Sequence, residues 1–145
     1  MNSEHLELRS RLEALAIDYW HDVDSNGGVG AAKFYVDDGI YATTIREYRG
    51  HDAIEDFYLR RRDRGARVSL HLVNNFRLAN VNAERVHCQY ILSLLAADGQ
   101  PVLPSQPAIL VAVVDEVLVK QIDGAWLYES RRITPLFRGE TPTTG

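Results

Sequence analysis

The chain has 145 residues, 46% of them hydrophobic and 25% charged, which predicts one globular domain with a sizeable core. Its formal net charge of −4 argues against a nucleic-acid-binding protein, which normally carries a basic excess. The single cysteine, Cys88, excludes an intrachain disulfide, and no apolar run approaches the length of a membrane span, so we expect a cytoplasmic protein without a membrane association.

The N-terminal half reads as three helices around one strand. Residues 3–22 predict the first helix, because apolar residues recur at steps of three and four: Leu8, Leu12, Leu15, Ala16 and Tyr19. The glycines after Asn26 interrupt this pattern, and a short second helix is predicted at about 29–36. A turn at 37–39 then leads to a first strand at 40–48 and a third helix at 51–65.

From Arg67 onward the pattern changes to strands, at about 67–79, 84–97, 107–121 and 125–137. Asp-Gly pairs at 98–99 and 123–124 are typical hairpin turns. Helices followed by an antiparallel meander predict an α+β fold, in which the three helices pack in the concave side of a curved, mostly antiparallel sheet. Such a cone has an interior pocket, which is the natural place for a binding site. We expect one domain over 1–137 and a flexible tail over 138–145.

His71 stands in the middle of the first long strand, RVSLHLVNNF, between Leu70 and Leu72. An imidazole in that position is either bonded to a backbone carbonyl at the edge of the core or is a catalytic group. The catalytic interpretation requires a partner that holds one ring nitrogen. Asp24 is the best candidate for that partner, although Asp22 is equally compatible with the spacing and either acid could instead cap the second helix.

Motifs for other chemistry are missing from the sequence. There is no glycine-rich phosphate loop, no GxSxG elbow and no histidine spacing of the HExxH type, so we expect no cofactor and no metal. Cys88 reads as a small packing residue.

Five stretches, in this order, resemble the SnoaL-like branch of the NTF2-like superfamily. They are YWHDVDSN at 19–26, FYVDDGIY at 34–41, YRGHDAIEDFY at 48–58, SLHLVNNFRL at 69–78 and KQIDGAWLYESRRI at 120–133. The resemblance covers about residues 5–137 and implies a cone-shaped α+β barrel. Each stretch alone is a weak motif, and the evidence is in their order and spacing.

Cofactor-free lyases of this group, such as scytalone dehydratase, bile-acid 7α-dehydratase and a dehydrochlorinase, share a histidine–aspartate dyad. Carried onto this sequence, the resemblance places the dyad on His71 and Asp24. A tyrosine five residues before the aspartate matches Tyr19, which would donate to an oxyanion or a leaving oxygen. The remaining recognition residues of those lyases are not matched, since their positions fall at or near Val23, Ala42, Ala96, Asp115 and Pro135.

The resemblance therefore implies a dehydratase-like lyase that acts on a small hydrophobic ligand, aromatic or polycyclic. The alternatives are an isomerase or cyclase of the ketosteroid isomerase type, in which Asp115 would replace His71 as the base, a non-catalytic small subunit of a ring-hydroxylating dioxygenase, and a ligand carrier. Predicted pocket residues besides the dyad are Asp115, Asn74 or Asn75, Tyr41, Trp20, Phe57 and Tyr90. Arg131 is expected at the surface.

The stretch AILVAVV at 108–114 has almost no polar alternation, which predicts an apolar outer face on the sheet. We therefore expect a second subunit to cover that face, in a homodimer or a homotrimer.

Overall fold

A computed structural model describes residues 2–143. It contains two α-helices and six strands, with bounds α1 Ser3–Asn26, β1 Tyr35–Ala42, β2 Glu47–Arg49, α2 His51–Asp63, β3 Arg67–Val81, β4 Arg85–Asp98, β5 Leu110–Lys120 and β6 Trp126–Arg138. The α+β class and the four C-terminal strands agree with the sequence prediction. None of the helices formed by these residues combines the length and hydropathy that a membrane crossing requires.

The six strands form one sheet in the order β2-β1-β6-β5-β4-β3. The β1–β6 pair is parallel and the other four pairs are antiparallel, as predicted for a mostly antiparallel sheet. The sheet is curved but has two edges, β2 and β3, so it is an open cone rather than a closed barrel. Helix α1 packs against β3, and α2 packs against β1 and β2.

The region between the two helices differs from the prediction. The second helix is only a 3-10 helix, Ala31–Phe34, so α-helices number two rather than three within the described residues. Strand β1 starts at Tyr35. The turn predicted at 37–39 is part of this strand, where the pairing with β6 shifts its register between Tyr35 and Ile40. The predicted strand at 40–48 is a hairpin instead, because the Thr43 hydroxyl accepts the backbone N–H groups of two following residues and turns the chain.

Helix α1 runs four residues beyond its predicted end. Gly27 closes it in a left-handed conformation with φ 62°, and its N–H donates to the carbonyl of Asp22. Gly28 follows at φ 79° and lies against α2 so closely that a Cβ there would be 2.5 Å from a ring carbon of Tyr58. The extension places Asp24 in the last turn of a helix that packs on β3.

The faces of the sheet differ in burial. Alternate residues of β4 and β5 are buried on the concave face, whereas those between them are only half-buried, and many are apolar. Leu70, Leu72 and Phe137 are exposed large hydrophobic residues. This agrees with an apolar outer face, and the homodimer or homotrimer remains a prediction.

Strand β6 extends one residue into the predicted tail. Beyond it, Arg67 Nη2 donates to the carbonyl of Pro142 at 2.9 Å. Residues 144 and 145, the end of the predicted flexible tail, lie outside the described residues.

Candidate active site

A carboxylate and an imidazole meet where the end of α1 touches β3. His71 Nδ1 lies 2.6 Å from Asp24 Oδ1, and the backbone N–H of His71 donates to Asp24 Oδ2 at 2.8 Å. The Ser69 hydroxyl adds a third hydrogen bond to Oδ1 at 2.9 Å. Because a carboxylate only accepts, Nδ1 carries the proton, and Nε2 is left as the ring nitrogen with a lone pair.

Local structure explains why these groups meet. Ser69, His71 and Val73 alternate along β3 on the side that faces α1, as the period of two requires. The two acids near the end of α1 divide their tasks. Asp22 accepts from the Asn26 side chain and from the backbone N–H of Gly30, which holds the turn after α1, whereas Asp24 bonds His71 on the sheet. The structure therefore resolves the choice that spacing alone left open.

The indole of Trp20 covers the His71 ring. The ring centroids are 4.3 Å apart and the planes are inclined by only 8°. Trp20 is itself fixed, since its Nε1 donates to the Tyr90 hydroxyl at 2.7 Å, and Tyr90 donates to Glu116 Oε2 at 2.7 Å. The imidazole thus has its plane set by stacking and its rotation set by Asp24.

Burial decides the protonation state of the pair. The side chains of His71 and Asp24 are only 9% and 12% exposed. Burial lowers the pKa of His71 below its ordinary 6.5, and the opposing hydrogen bond and charge of Asp24 do not fully offset it. Burial raises the pKa of Asp24, but its hydrogen bonds with His71 and Ser69 outweigh this and leave that pKa below 3.8. At neutral pH the pair is a carboxylate beside a neutral imidazole.

A pocket opens beside His71. Its cavity volume is about 70 Å³. Most of its lining is aromatic or aliphatic, including Trp20, Tyr41, Phe57, Tyr58, Leu92 and Ile133. Its charged lining residues are Arg61 and Arg138. Arg61 Nη2 also donates to the Ser69 hydroxyl at 3.0 Å, which connects the pocket wall with the Asp24 carboxylate.

Four of the residues predicted for the site meet at this pocket: His71, Trp20, Tyr41 and Phe57 line it, while Asp24 supports His71 from behind. Tyr19 does not line it. Its hydroxyl is fully buried between those of Tyr35 and Tyr58, at 2.9 Å and 2.5 Å. Tyr90 lies below Trp20, also away from the pocket.

Two further predicted residues lie on the outer face of the sheet. Asp115 accepts from His87 Nε2 at 2.8 Å and from Gln89 at 3.1 Å, because the alternation of β5 turns its neighbour Glu116 inward instead. Asn74 donates to the carbonyl of Ile91 and to Ser93, and Asn75 is exposed at a bulge with φ 55°. The pocket roles expected for Asp115 and Asn74 therefore have no geometric support.

Sequence reasoning missed the polar centre of the core. Arg131, expected at the surface, is fully buried; its Nε donates to Glu116 Oε2 at 2.8 Å, and its Nη1 to the Tyr35 hydroxyl at 2.7 Å. Nη2 lies 2.7 Å from the same Glu116 oxygen, at an angle that is not that of a hydrogen bond. The guanidinium also stacks on the Tyr19 ring, 3.5 Å from its centroid.

Metal chemistry has no evident site here. Among residues 2–143, no group of three or more His, Cys, Asp or Glu side chains is arranged to hold an ion.

Comparison with known proteins gives matches by structure only. No protein-family model matches this chain, and no curated protein has a significant sequence match to it. A Novosphingobium aromaticivorans protein provisionally assigned as a scytalone dehydratase is similar with a TM-score of 0.80 and 16% identity, over 98% of this chain and 93% of its own. ActVI-ORFA of Streptomyces coelicolor has a TM-score of 0.77 and 16% identity, over 89% of this chain and 98% of its own.

A third similar structure is described by its fold. It is an NTF2-like protein with a cystatin-like fold from Novosphingobium aromaticivorans, with a TM-score of 0.69 and 16% identity, over 93% of this chain and 90% of its own. Since likeness at this level of identity speaks for the fold, the chain is identified by its architecture as having the NTF2-like, cystatin-like α+β fold.

Proposed function

We propose that the protein is a cofactor-independent lyase in which His71 is the general base. The observation that carries the proposal is a neutral imidazole, held by a buried carboxylate, in the wall of an apolar pocket. The assignment of one fold neighbour as a scytalone dehydratase is in keeping with it.

The proposed reaction is an elimination of water or another β-group. His71 Nε2 takes a proton from the carbon next to a carbonyl, and the C–H electron pair passes into an enolate. The enolate then expels the β-hydroxyl with its bonding pair, and the imidazolium returns its proton to that oxygen, giving water and a conjugated carbonyl. Asp24 stabilises the imidazolium between the two steps, and positioned base catalysis of this kind contributes about 10²–10⁴-fold.

The aromatic lining favours a small hydrophobic substrate with an aromatic ring. Arg61 and Arg138 in the same wall would tolerate a negative charge on it. The steps above are proton transfers and the loss of a hydroxyl group, and none of them requires a cofactor.

The competing isomerase rests on a different base. A ketosteroid isomerase-type reaction was expected to use Asp115, but its carboxylate lies on the outer face of the sheet with His87 and Gln89. An isomerase that used His71 instead would share the first proton transfer and differ only in the fate of the enolate.

The test uses a β-hydroxy aryl ketone, 4-hydroxy-4-phenylbutan-2-one, as probe. Dehydration gives a conjugated enone with a strong new ultraviolet absorbance, and incubation in D₂O reports proton abstraction by NMR even without elimination. Wild type should produce the enone, and His71→Ala should not, while Asp115→Asn serves as the matched control. Deuterium exchange without enone would favour the isomerase, and enone formation that survives His71→Ala would reject the dyad.

A further inference from the structure

We propose that the substrate carries a carboxylate on its aromatic ring, and that Arg61 binds this carboxylate in the wall of the pocket. The inference names a substrate class for the proposed lyase and rests on that function for its catalytic meaning. Binding of an aromatic carboxylate can be measured without any turnover, so the two proposals can fail separately.

The charged lining of the pocket has one sign. Arg61 and Arg138 carry a positive charge, and none of the lining residues within 2–143 is an aspartate or a glutamate. The whole chain, by contrast, has a formal net charge of −4. A mostly apolar cavity whose wall contains cations and no anions raises the local concentration of anionic ligands.

A second cavity continues the positive charge beyond the pocket. It shares three lining residues with the pocket, namely Thr43, Ile45 and Phe57. Its charged lining residues are Arg46, Arg60 and Arg64, again without an acid. Arg60 is paired with an aspartate one turn earlier on α2, whereas no carboxylate of residues 2–143 forms an ion pair with Arg46 or Arg64. An anion that reaches the pocket from this side therefore passes a cationic surface.

Of the two arginines in the pocket wall, Arg61 is the one held in place. Its Nη2 donates to the Ser69 hydroxyl at 3.0 Å, and the buried Ser69 donates to Asp24 Oδ1 at 2.9 Å. Arg61 is half-buried, whereas Arg138 is the exposed last residue of β6. A guanidinium anchored at one nitrogen keeps its plane, and a planar guanidinium matches the two oxygens of a carboxylate.

The surroundings of Arg61 favour a ligand with a negative charge. Burial lowers the pKa of Arg61, and the negative charge of Asp24 opposes this shift. The guanidinium is thus a partly desolvated cation. A carboxylate that forms charge-assisted hydrogen bonds with it replaces the water that the fold excludes.

The charge of Arg61 also acts on the base. Burial is the main cause of the lowered pKa of His71; Asp24 raises this pKa, and the charges of Arg61 and Arg131 lower it further. These three charged groups face the imidazole from α1, α2 and β6. A carboxylate on Arg61 offsets one of the two positive charges and so raises the pKa of His71. The base becomes stronger when the charged group of the substrate is in place.

The test compares benzoate with benzamide, which has nearly the same shape and no charge. By isothermal titration calorimetry at pH 7, wild type should bind benzoate at least about tenfold more tightly, as expected for hydrogen bonds to a charged group. In NMR titrations of the His71 ring, saturating benzoate should raise the pKa by about 0.5–1 unit, and benzamide should not. Both comparisons use wild type alone, so they do not depend on the folding of a variant.

Two variants assign the carboxylate to Arg61. Arg61→Gln should remove the preference for benzoate and leave the affinity for benzamide nearly unchanged. Arg61→Lys keeps the charge without the planar fork and should recover part of the preference. Arg77→Gln is the matched control, because it removes a positive charge from β3 outside the pocket lining, where Arg77 donates to Gln89. It should bind benzoate as wild type does.

The outcomes separate this inference from the lyase proposal. Equal wild-type affinity for the two probes, a preference that survives Arg61→Gln, or a His71 pKa that does not respond to bound benzoate overturns it. In the ketone assay, 4-(1-hydroxy-3-oxobutyl)benzoate should exceed the uncharged probe about tenfold in kcat/KM. A benzoate preference without turnover of either ketone would support the Arg61 site and count against the lyase. Turnover of both ketones without that preference would support the lyase and overturn the site.

Discussion

The interior of this molecule contains two pairs of an acidic and a basic side chain, and the two pairs differ in their access to the pocket. The His71–Asp24 pair borders the pocket, and its ring nitrogen Nε2 is left for a ligand. The Arg131–Glu116 pair is 0% exposed and enclosed by aromatic rings such as those of Tyr19 and Tyr128. In the proposed function the first pair exchanges a proton, whereas the second, enclosed in the core, has no contact with the pocket.

The largest effect expected from breaking the first pair is on catalysis. His71→Ala should lower kcat by about 10²–10⁴-fold in the ketone assay, because it removes the base. The melting temperature, followed by circular dichroism, should stay close to that of wild type, which shows that the loss of kcat is not a loss of fold. Wild-type turnover by His71→Ala would show that His71 is not the general base.

Breaking the second pair should instead affect folding. Arg131→Met leaves the Glu116 carboxylate buried without its cation, so the free energy of unfolding should fall by about 3–5 kcal/mol in urea titrations. The double variant Arg131→Met/Glu116→Leu should recover part of this loss, because it removes the stranded charge as well. If Arg131→Met is as stable as wild type, the Arg131–Glu116 pair does not stabilise the folded protein.

Asp24→Asn sharpens the comparison, since it keeps the shape of the pocket and removes only the carboxylate charge. Supporting groups of this kind typically contribute 10–100-fold, and a loss of that size is expected in kcat/KM. An unchanged kcat/KM would show that Asp24 only anchors β3 to α1, and the matched Asp22→Asn variant should retain wild-type activity.

The pH profile tests the protonation state of the open pair. The pKa of His71 is lowered in the folded protein, so the base is neutral at pH 7, and kcat/KM should fall only as the pH drops below 6.5. The charge and hydrogen bond of Asp24 raise the pKa of His71 against burial. Removing them in Asp24→Asn should move the acidic limb to still lower pH. A limb above 6.5 in wild type would contradict the burial argument.

The smallest effect is expected on the outer face. Asp115→Asn replaces a half-buried carboxylate that bonds His87 and Gln89, and surface substitutions of this kind usually change stability by about 0.5 kcal/mol or less. Turnover of the ketone should be unaffected. A large loss of turnover would instead revive the isomerase interpretation.

Much of the fold and the central dyad could be predicted from the sequence. The long strands alternate clearly, but spacing alone left Asp22 and Asp24 open as partners of His71, and the pairing with Asp24 came from the family resemblance. The face of Asp115 could not be predicted in the same way. β5 is apolar on both faces, so its sequence does not show which residues face the core. The adjacent acids Asp115 and Glu116 therefore point in opposite directions without a signal in the sequence.

The burial of Arg131 among tyrosines could not be predicted for another reason. Arg131 lies on β6 and depends on partners from two other strands, β1 and β5, which no local sequence pattern predicts. A short second helix was predicted at about 29–36, and the structure has a single-turn 3-10 helix at Ala31–Phe34, because the two alanines and the apolar residues around them satisfy helical spacing over one turn only.

One glycine limits how closely two elements that line the pocket approach each other. Gly28 follows the end of α1, and its backbone lies against the Tyr58 ring of α2, where there is no room for a methyl group. Since Trp20 of α1 and Phe57 of α2 both line the pocket, its width depends on a missing side chain. Enlarging that position would wedge the helices apart and widen the gap that a reacting molecule must bridge.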